Sequence, residues 1–378
     1  MLVASLPPMP AGGAEIQALK LAETLTKKGV KVSFITPGNS KNKGLGILGK
    51  MPVYRLHSWL NGIFESLSAA KKNKQSPNTR IEYDDKKEIT NQITRKAGWP
   101  TVIYYNIFFF HSLFFLWRRR STFDIIHAHT MEWSAIVATR LGKALHKKVI
   151  IKDSTMNGFQ SLSRFPSGHH LQKLITGHAH FIAMTKMINE NLLQQGIPTG
   201  QITRIPNGIF LKENRGTHVT GNKPAKILFV GNLYQQPAKG IDVLLHAFQI
   251  VHKLFPEVVL QIVGDGVNEA YYTFVRELSI DKVVEFCGKQ SDLESFYNGA
   301  DIFVLPSRRE GMSNALMEAM LYGIPCIATD ISGSQDLITN GQNGILVQPA
   351  NVDALAEAMN FMLSHPEIAL KLGEKARE

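Results

Sequence analysis

The chain has 378 residues, 44% of them hydrophobic and 19% charged, which is enough for two packed cores and excludes a disordered or fibrous chain. Its two cysteines, Cys287 and Cys326, lie in apolar strand-like runs, so no disulfide framework is implied and a reducing cytoplasm fits. The net charge of +11 is split: residues 1–210 carry +17 and residues 211–378 carry −6. A basic half beside an acidic half points to a polyanionic surface facing one domain only. No helix-turn-helix, zinc finger or other nucleic-acid module is present, so an anionic membrane is favoured over nucleic acid. Met1 to Leu6 is too short for a signal-peptide core.

Taken in order, residues 1–36 predict a strand ending near Ser5, a Pro/Gly turn, a helix from about Ala14 to Lys28 and a strand over Val30 to Thr36. Ile16, Leu19, Ala22 and Leu25 give the helix an apolar stripe. Its N-terminus at Gly12-Gly13 can face an anion, although taken alone a Gly-Gly pair is more often a plain turn than a phosphate site. Pro52 to Leu56 is a candidate strand, and the charged run Lys71 to Lys96 predicts a solvated helix-loop region. Thr101 to Trp117 then holds eight Phe, Tyr or Trp in seventeen residues and is followed by Arg118, Arg119 and Arg120. It is short for a membrane span and is interrupted by Asn106, His111 and Ser112. A core helix and an interfacial helix both fit, and they coexist if one face packs inward while the other meets lipid.

Asp124 to His129 (DIIHAH) predicts a strand that ends in two histidines before a helix from about Trp133. The end of such a strand is where open α/β sheets place ligands, so His129 is a ligand candidate and His127 a structural one. Strands over Val149 to Asp153 and Phe181 to Ala183 follow, and the polar loop Ser161 to His170 is a candidate acceptor contact. Arg215 to Pro224 reads as a linker. A second alternation then begins. Ile227 to Val230 is a buried strand, followed by Gly231-Asn232, Lys239-Gly240 and a helix over Ile241 to Phe255. A lysine before a helix start can neutralise a diphosphate, but taken alone a surface lysine is the ordinary reading. Val259 to Gly266 and Val283 to Gly288 are further strands with glycine turns, and Asn351 to Glu378 reads as two helices.

The densest stretch is Arg309 to Ile338, where Glu310 and Glu318 stand eight residues apart after the strand-like run Asp301 to Pro306. Ser313 or Asn314 can cap a helix that runs to Tyr322 and ends at Gly323. Glu310 then sits at the positive end of the helix, and Glu318 lies one to two turns in. Gly311 permits close approach of a ligand, and the amides of Ser313, Asn314 and Ala315 face any anion there. Helix amides for a phosphate and carboxylates for hydroxyls suit a ligand carrying both. Two solvated glutamates would also account for the spacing alone.

The segment resembles the E-x(7)-E motif of retaining glycosyltransferases of family 4, with the GT-B fold. The resemblance rests on Pro306-Ser307, Glu310-Gly311, Glu318 to Met320, Gly323 to Pro325 and Asn343 to Val347. It extends to Gly12-Gly13, His127 to His129, Ile205 to Gly208 and Lys239-Gly240, nearly the whole chain. It implies two Rossmann-like, doubly wound parallel-sheet domains facing across a cleft. These are residues 1–210 on the acceptor side, a linker at 211–224, and residues 225–378 on the nucleotide-sugar side. It further implies retaining transfer from a nucleoside-diphosphate sugar to a glycan or lipid-linked acceptor. The donor is a substrate, so no cofactor and no metal are expected; no Asp-x-Asp or metal-spaced cluster occurs in the sequence.

By the same resemblance His129 and Glu310 act on the sugar and Glu318 holds the ribose. Gly13, Gly231, Asn232, Lys239, Gly264, Gly311, Met312, Ser313, Asn314 and Ala315 line the donor site. Asn232 stands where the family often has arginine, and Arg308 or Arg309 is the nearby substitute cation. The crossover helix that usually closes this fold is missing from the C-terminal end. Expected surroundings are the cytoplasm and, through residues 101–120, the inner membrane face. The alternatives are a non-catalytic nucleotide-sugar-binding protein and an epimerase or phosphorylase of the same fold.

Overall fold

The computed structural model describes residues 1–2, 13–38, 43–56, 99–131, 133–154, 158–162, 168–210, 224–235 and 238–378. The charged run at 71–96, residues 163–167 of the candidate acceptor loop and nearly all of the linker at 211–224 lie outside them. The chain divides into two compact units, with the boundary between Gly208 and Ile209.

The first unit opens with α1 (Gly13–Lys27), whose Ala18 and Ala22 are buried against Phe34, Met51 and Val53. Strand β1 (Phe34–Pro37) is shorter than the run Val30 to Thr36 suggests, because its ladder with β3 (Met51–Leu56) begins only at Phe34. Strand β2 (Gly44–Leu48) was not expected from the sequence. It pairs antiparallel with β3 across the two-residue turn Gly49-Lys50, where Gly49 takes a left-handed φ of 59°.

Helix α2 (Trp99–Trp117) is the aromatic segment. Strands β4 (Ile125–Ala128), β5 (Lys148–Asp153), β6 (Ala179–Ala183) and β7 (Ile202–Arg204) pair in parallel in that order. Leu2 bridges both Ile35 of β1 and Ala128 of β4, and so joins the two sheets into one. The buried helix α3 (Trp133–Leu145) covers β4 and β5, and α4 (Gly168–Thr176) and α5 (Lys186–Gln194) follow.

The second unit is one parallel sheet. Its strands are β8 (Lys226–Val230), β9 (Val259–Val263), β10 (Val284–Gly288), β11 (Ile302–Leu305), β12 (Cys326–Thr329) and β13 (Ile345–Val347). Their order across the sheet is β10-β9-β8-β11-β12-β13. Helices α6 (Ile241–Leu254), α7 (Glu269–Glu277), α8 (Glu294–Gly299), α9 (Asn314–Leu321), α10 (Val352–Ser364) and α11 (Pro366–Arg377) make the crossovers and flanks.

Strands covered on both faces read as unbroken apolar runs, and β11 and β12 are buried at every position. Phe229, Phe248 and Phe303 are fully buried, each contributing about 1.5–3 kcal/mol of burial energy. The chain runs β8, β9, β10 outward in one direction and then returns to β11 on the other side of β8. That return makes a topological switch point between the carboxyl ends of β8 and β11, where open parallel sheets bind ligands.

Candidate functional site

The switch point gathers the predicted donor residues of the second unit. Gly231 and Asn232 follow β8, Lys239 precedes α6, and Glu310 to Ala315 join β11 to α9. Two backbone contacts hold these loops together. The amide of Arg308 donates to the Ala238 carbonyl at 2.8 Å, and Gly240 packs on the carbonyl of Pro306. Gly240 has a left-handed φ of 65°, and a Cβ there would fall on the Pro306 oxygen. Only glycine satisfies both demands.

The crossing brings the Lys239 ammonium onto Glu310, with Nζ donating to Oε1 at 2.8 Å and to Oε2 at 2.9 Å. Both side chains are mostly buried, at 12% and 16% exposure, so the pair is far better shielded than a surface salt bridge. The sequence places Lys239 and Glu310 71 residues apart and gives no sign that they pair.

Ser313 caps α9, its hydroxyl accepting from the Leu316 amide at 3.4 Å, and Tyr322 and Gly323 close the helix as expected. Met312 and Ser313 are buried, while Gly311, Asn314 and Ala315 are half-exposed. Glu318, in the second turn, accepts from the Tyr297 hydroxyl at 3.1 Å. Gly264, after β9, packs on the Gly231 carbonyl so closely that a Cβ would overlap it, and its amide donates to Gly288 at 2.9 Å. The carboxyl ends of β8, β9 and β10 are therefore tied into one edge.

Asn232 is exposed, and its side chain accepts from the Tyr234 amide at 2.9 Å, which closes its own turn. Arg308 does not stand in for a cation at that position. Its guanidinium is bound to both oxygens of Asp242, at 2.7 Å each, and anchors the first turn of α6. That carboxylate–guanidinium fork occupies the group the sequence leaves available. Arg309 is half-buried beside it.

In the first unit, His127 and His129 lie at the end of β4 with ring centroids 4.1 Å apart. Burial lowers the pKa of His127 to about 3, and burial, followed by coupling to His127 and the charge of Lys152, lowers that of His129, so both rings are neutral near pH 7. His129 is 1% exposed, and neither ring nitrogen has a partner among the described residues. Buried polar side-chain atoms are nearly always hydrogen-bonded, so these two nitrogens are exceptions among the described residues.

Lys152, at the end of β5, donates to the Asn207 side chain at 2.6 Å, and burial lowers its pKa to about 8. The signal for Lys152 is a cation directly after the apolar run Val149 to Ile151, at the end of a strand; Tyr297 gives none that separates it from a core aromatic. Gly13 opens α1, whose Gln17 donates to the Gly208 carbonyl at 3.0 Å. Among the described residues no three His, Cys, Asp or Glu side chains group as a metal site would need.

Two family models match the chain: Glycosyltransferase Family 4 over residues 11–213 and Glycosyl transferases group 1 over residues 224–365. An uncharacterized glycosyltransferase of Haemophilus influenzae is 24% identical over 369 residues, covering 97% of this chain and 91% of that one. The UDP-Gal:alpha-D-GlcNAc-diphosphoundecaprenol alpha-1,3-galactosyltransferase of Escherichia coli is 31% identical over 171 residues, 42% of this chain and 44% of the relative's length. The sucrose-phosphate synthase structure from Thermosynechococcus elongatus superimposes with a TM-score of 0.74 at 21% identity, over 100% of this chain and 92% of the other.

Proposed function

The chain belongs to glycosyltransferase family 4 and has the two-domain GT-B fold, and from that premise we propose that it moves a sugar from a nucleoside-diphosphate sugar to a glycan or lipid-linked acceptor hydroxyl, retaining the anomeric configuration. The observation that carries this reading is the Lys239–Glu310 pair at the switch point, beside the capped start of α9. As the sugar leaves, negative charge grows on the diphosphate oxygens. Lys239, the amides at the start of α9 and the α1 terminus at Gly13 are the groups assigned to meet it, without cofactor or metal. Glu318 takes the ribose hydroxyls. Glu310 takes sugar hydroxyls and aligns the anomeric carbon, and His129 orients the sugar. The acceptor's proton passes to a donor phosphate oxygen on the same face, which preserves the configuration. A uridine base and a lipid-diphosphate acceptor are the first choices, because the galactosyltransferase relative uses that chemistry by name.

The test is thermal melting with UDP-, GDP- and ADP-sugars. A donor at a hundred times its Kd is expected to stabilise the protein by about 2.7 kcal/mol. One nucleotide series should raise the melting temperature, and Glu318→Ala should abolish the rise. No shift with any of them would overturn the donor assignment. Transfer to a lipid-linked acceptor, with the product anomer read by NMR, then tests retention.

The reaction is further assigned to the inner membrane face, and α2 supports this. Phe108 and Leu116 face inward, with Phe108 edge-on to Trp133 at 5.3 Å, and Phe115 meets Tyr54 of β3 at 4.7 Å. Ile103, Phe110, Phe114 and Trp117 form the opposite stripe and are 46–62% exposed. Leu45 and Ile47 of β2 are also exposed, and they lie on the same face of the hairpin as Tyr54, which Phe115 of α2 meets. Arg118 and Arg120 cover the rings of Phe114 and Trp117 at 5.3 and 5.1 Å, which sets cations at the edge of an apolar patch.

No helix among the described residues is long and apolar enough to cross a membrane. The protein is expected to float with phosphatidylglycerol vesicles and not with phosphatidylcholine. Phe114→Ser with Trp117→Ser, or Arg118→Gln with Arg120→Gln, should cut the bound fraction several-fold. Equal binding by these variants would rule out this face.

A further inference from the structure

We infer that Tyr297 is a positioning residue for Glu318, holding its carboxylate in the orientation that grips the ribose of the bound nucleotide. The inference deepens the reading above and rests on its assignment of Glu318 to the ribose.

Tyr297 lies in α8, is 2% exposed, and reaches Glu318 across 21 residues of sequence. Its hydroxyl donates to Oε2 of Glu318 at 3.1 Å, while the alternative acceptor, the Ala315 carbonyl, is further away at 3.5 Å. The ring is clamped from below. It stacks on Tyr322 with centroids 5.2 Å apart and planes 21° from parallel, and it tilts against Phe303 at 6.4 Å. Tyr322 follows Glu318 by four residues and therefore sits on the same helical face. The one tyrosine thus contacts both the functional carboxylate and the aromatic ring beneath it.

The chemistry gives this contact a purpose. A glutamate side chain has three rotatable bonds, and one half-exposed on a helix samples several rotamers unless something selects one. A carboxylate offers about four lone-pair sites. The tyrosine takes one of them, on Oε2, and so fixes the plane in which the carboxylate meets the two hydroxyls of a vicinal diol. Burial, then the charge of Glu318, push the Tyr297 hydroxyl pKa upward, so it remains a donor throughout the working pH range. Any buried tyrosine hydroxyl needs a partner, so the role in nucleotide binding is what the test must separate from packing.

The test measures the Kd of UDP by calorimetry, or of GDP or ADP if the melting panel selects that base, together with the matching 2′,3′-dideoxynucleotide. Tyr297→Phe keeps the stack and removes the donor. It is expected to weaken nucleoside-diphosphate binding about ten-fold. The melting temperature without ligand and the kcat at saturating donor should change little. In a Glu318→Ala background the same substitution should have no further effect, and wild type and Tyr297→Phe should bind the dideoxynucleotide equally. If Glu318→Ala weakens binding but Tyr297→Phe does not, the inference falls while the ribose assignment stands. It also falls if Tyr297→Phe costs as much without Glu318 as with it. If Glu318→Ala changes nothing, the ribose assignment fails and takes this inference with it.

Discussion

Replacing Lys239 with alanine is expected to lower kcat/KM by about 10²-fold or more, the range seen when one preorganised donor to a developing oxyanion is removed. Lys239 is the cation that the switch-point crossing presents, because Arg308 is bound to Asp242 and Asn232 closes its own turn. Without ligand the ammonium is held by both oxygens of Glu310. An arriving diphosphate must share that ammonium or displace the carboxylate. Glu310→Gln is therefore expected to have effects of opposite sign: tighter binding of the nucleoside diphosphate, because Lys239 is no longer neutralised, and slower sugar transfer. Titration calorimetry and steady-state kinetics on the same preparations separate the two.

Stability needs its own control, since removing one member of a largely buried pair strands the other. Lys239→Met combined with Glu310→Gln leaves no unpaired charge. It should melt closer to wild type than Lys239→Ala does, yet remain inactive. Recovery of activity in that double variant would show that neither Lys239 nor Glu310 is needed for transfer. Weaker nucleotide binding in Glu310→Gln would show that the two side chains grip the donor together rather than compete for each other.

Much of this was legible from local pattern. The run Asp301 to Pro306, the cap at Ser313 and the stop at Gly323 predict β11 and α9 within a residue or two, because each signal is a property of neighbouring residues. The same holds for α1, α6 and the paired helices at the C-terminal end. Strand β2 was missed because Gly44-Leu45-Gly46 is poor strand material and forms only with Met51 to Leu56 as a template. Side-chain partnerships were the least legible. Lys239 with Glu310, Arg308 with Asp242 and Tyr297 with Glu318 are separated by 71, 66 and 21 residues. They meet because the chain returns to the middle of the sheet at β11. No periodicity encodes such a return, so Arg308 looked available from the sequence and is not. The aromatic segment at 101–117 left two readings open for a related reason: which residues of a helix face inward depends on what it packs against. Once Phe108 and Phe115 are seen against Trp133 and Tyr54, the remaining stripe is fixed by the helical repeat.

Gly240→Ala is expected to lower the melting temperature of the second unit by about 10 °C and to remove most activity, although it adds only one methyl group. A non-glycine residue at a left-handed φ costs about 1–2 kcal/mol before any contact is considered. At this position the methyl also falls on the carbonyl oxygen of Pro306, a backbone atom that cannot rotate away. The two penalties together come to about 3 kcal/mol, and each kcal/mol moves the melting point of a unit this size by about 2–4 °C. The chain can relieve the overlap only by drawing residues 238–240 back from 306–310. That movement breaks the bond from the Arg308 amide to Ala238 and pulls Lys239 off Glu310. Activity should consequently fall further than stability alone explains, and a denaturant melt run beside an assay at a temperature where the variant is fully folded would show the excess. Gly299→Ala is the matched control: its Cβ meets nothing within 4 Å and its φ is not in the left-handed range, so both properties should stay near wild type. If Gly240→Ala behaves like Gly299→Ala, the close crossing of the two loops is not what assembles the site, and the pairing of Lys239 with Glu310 must be held by other contacts.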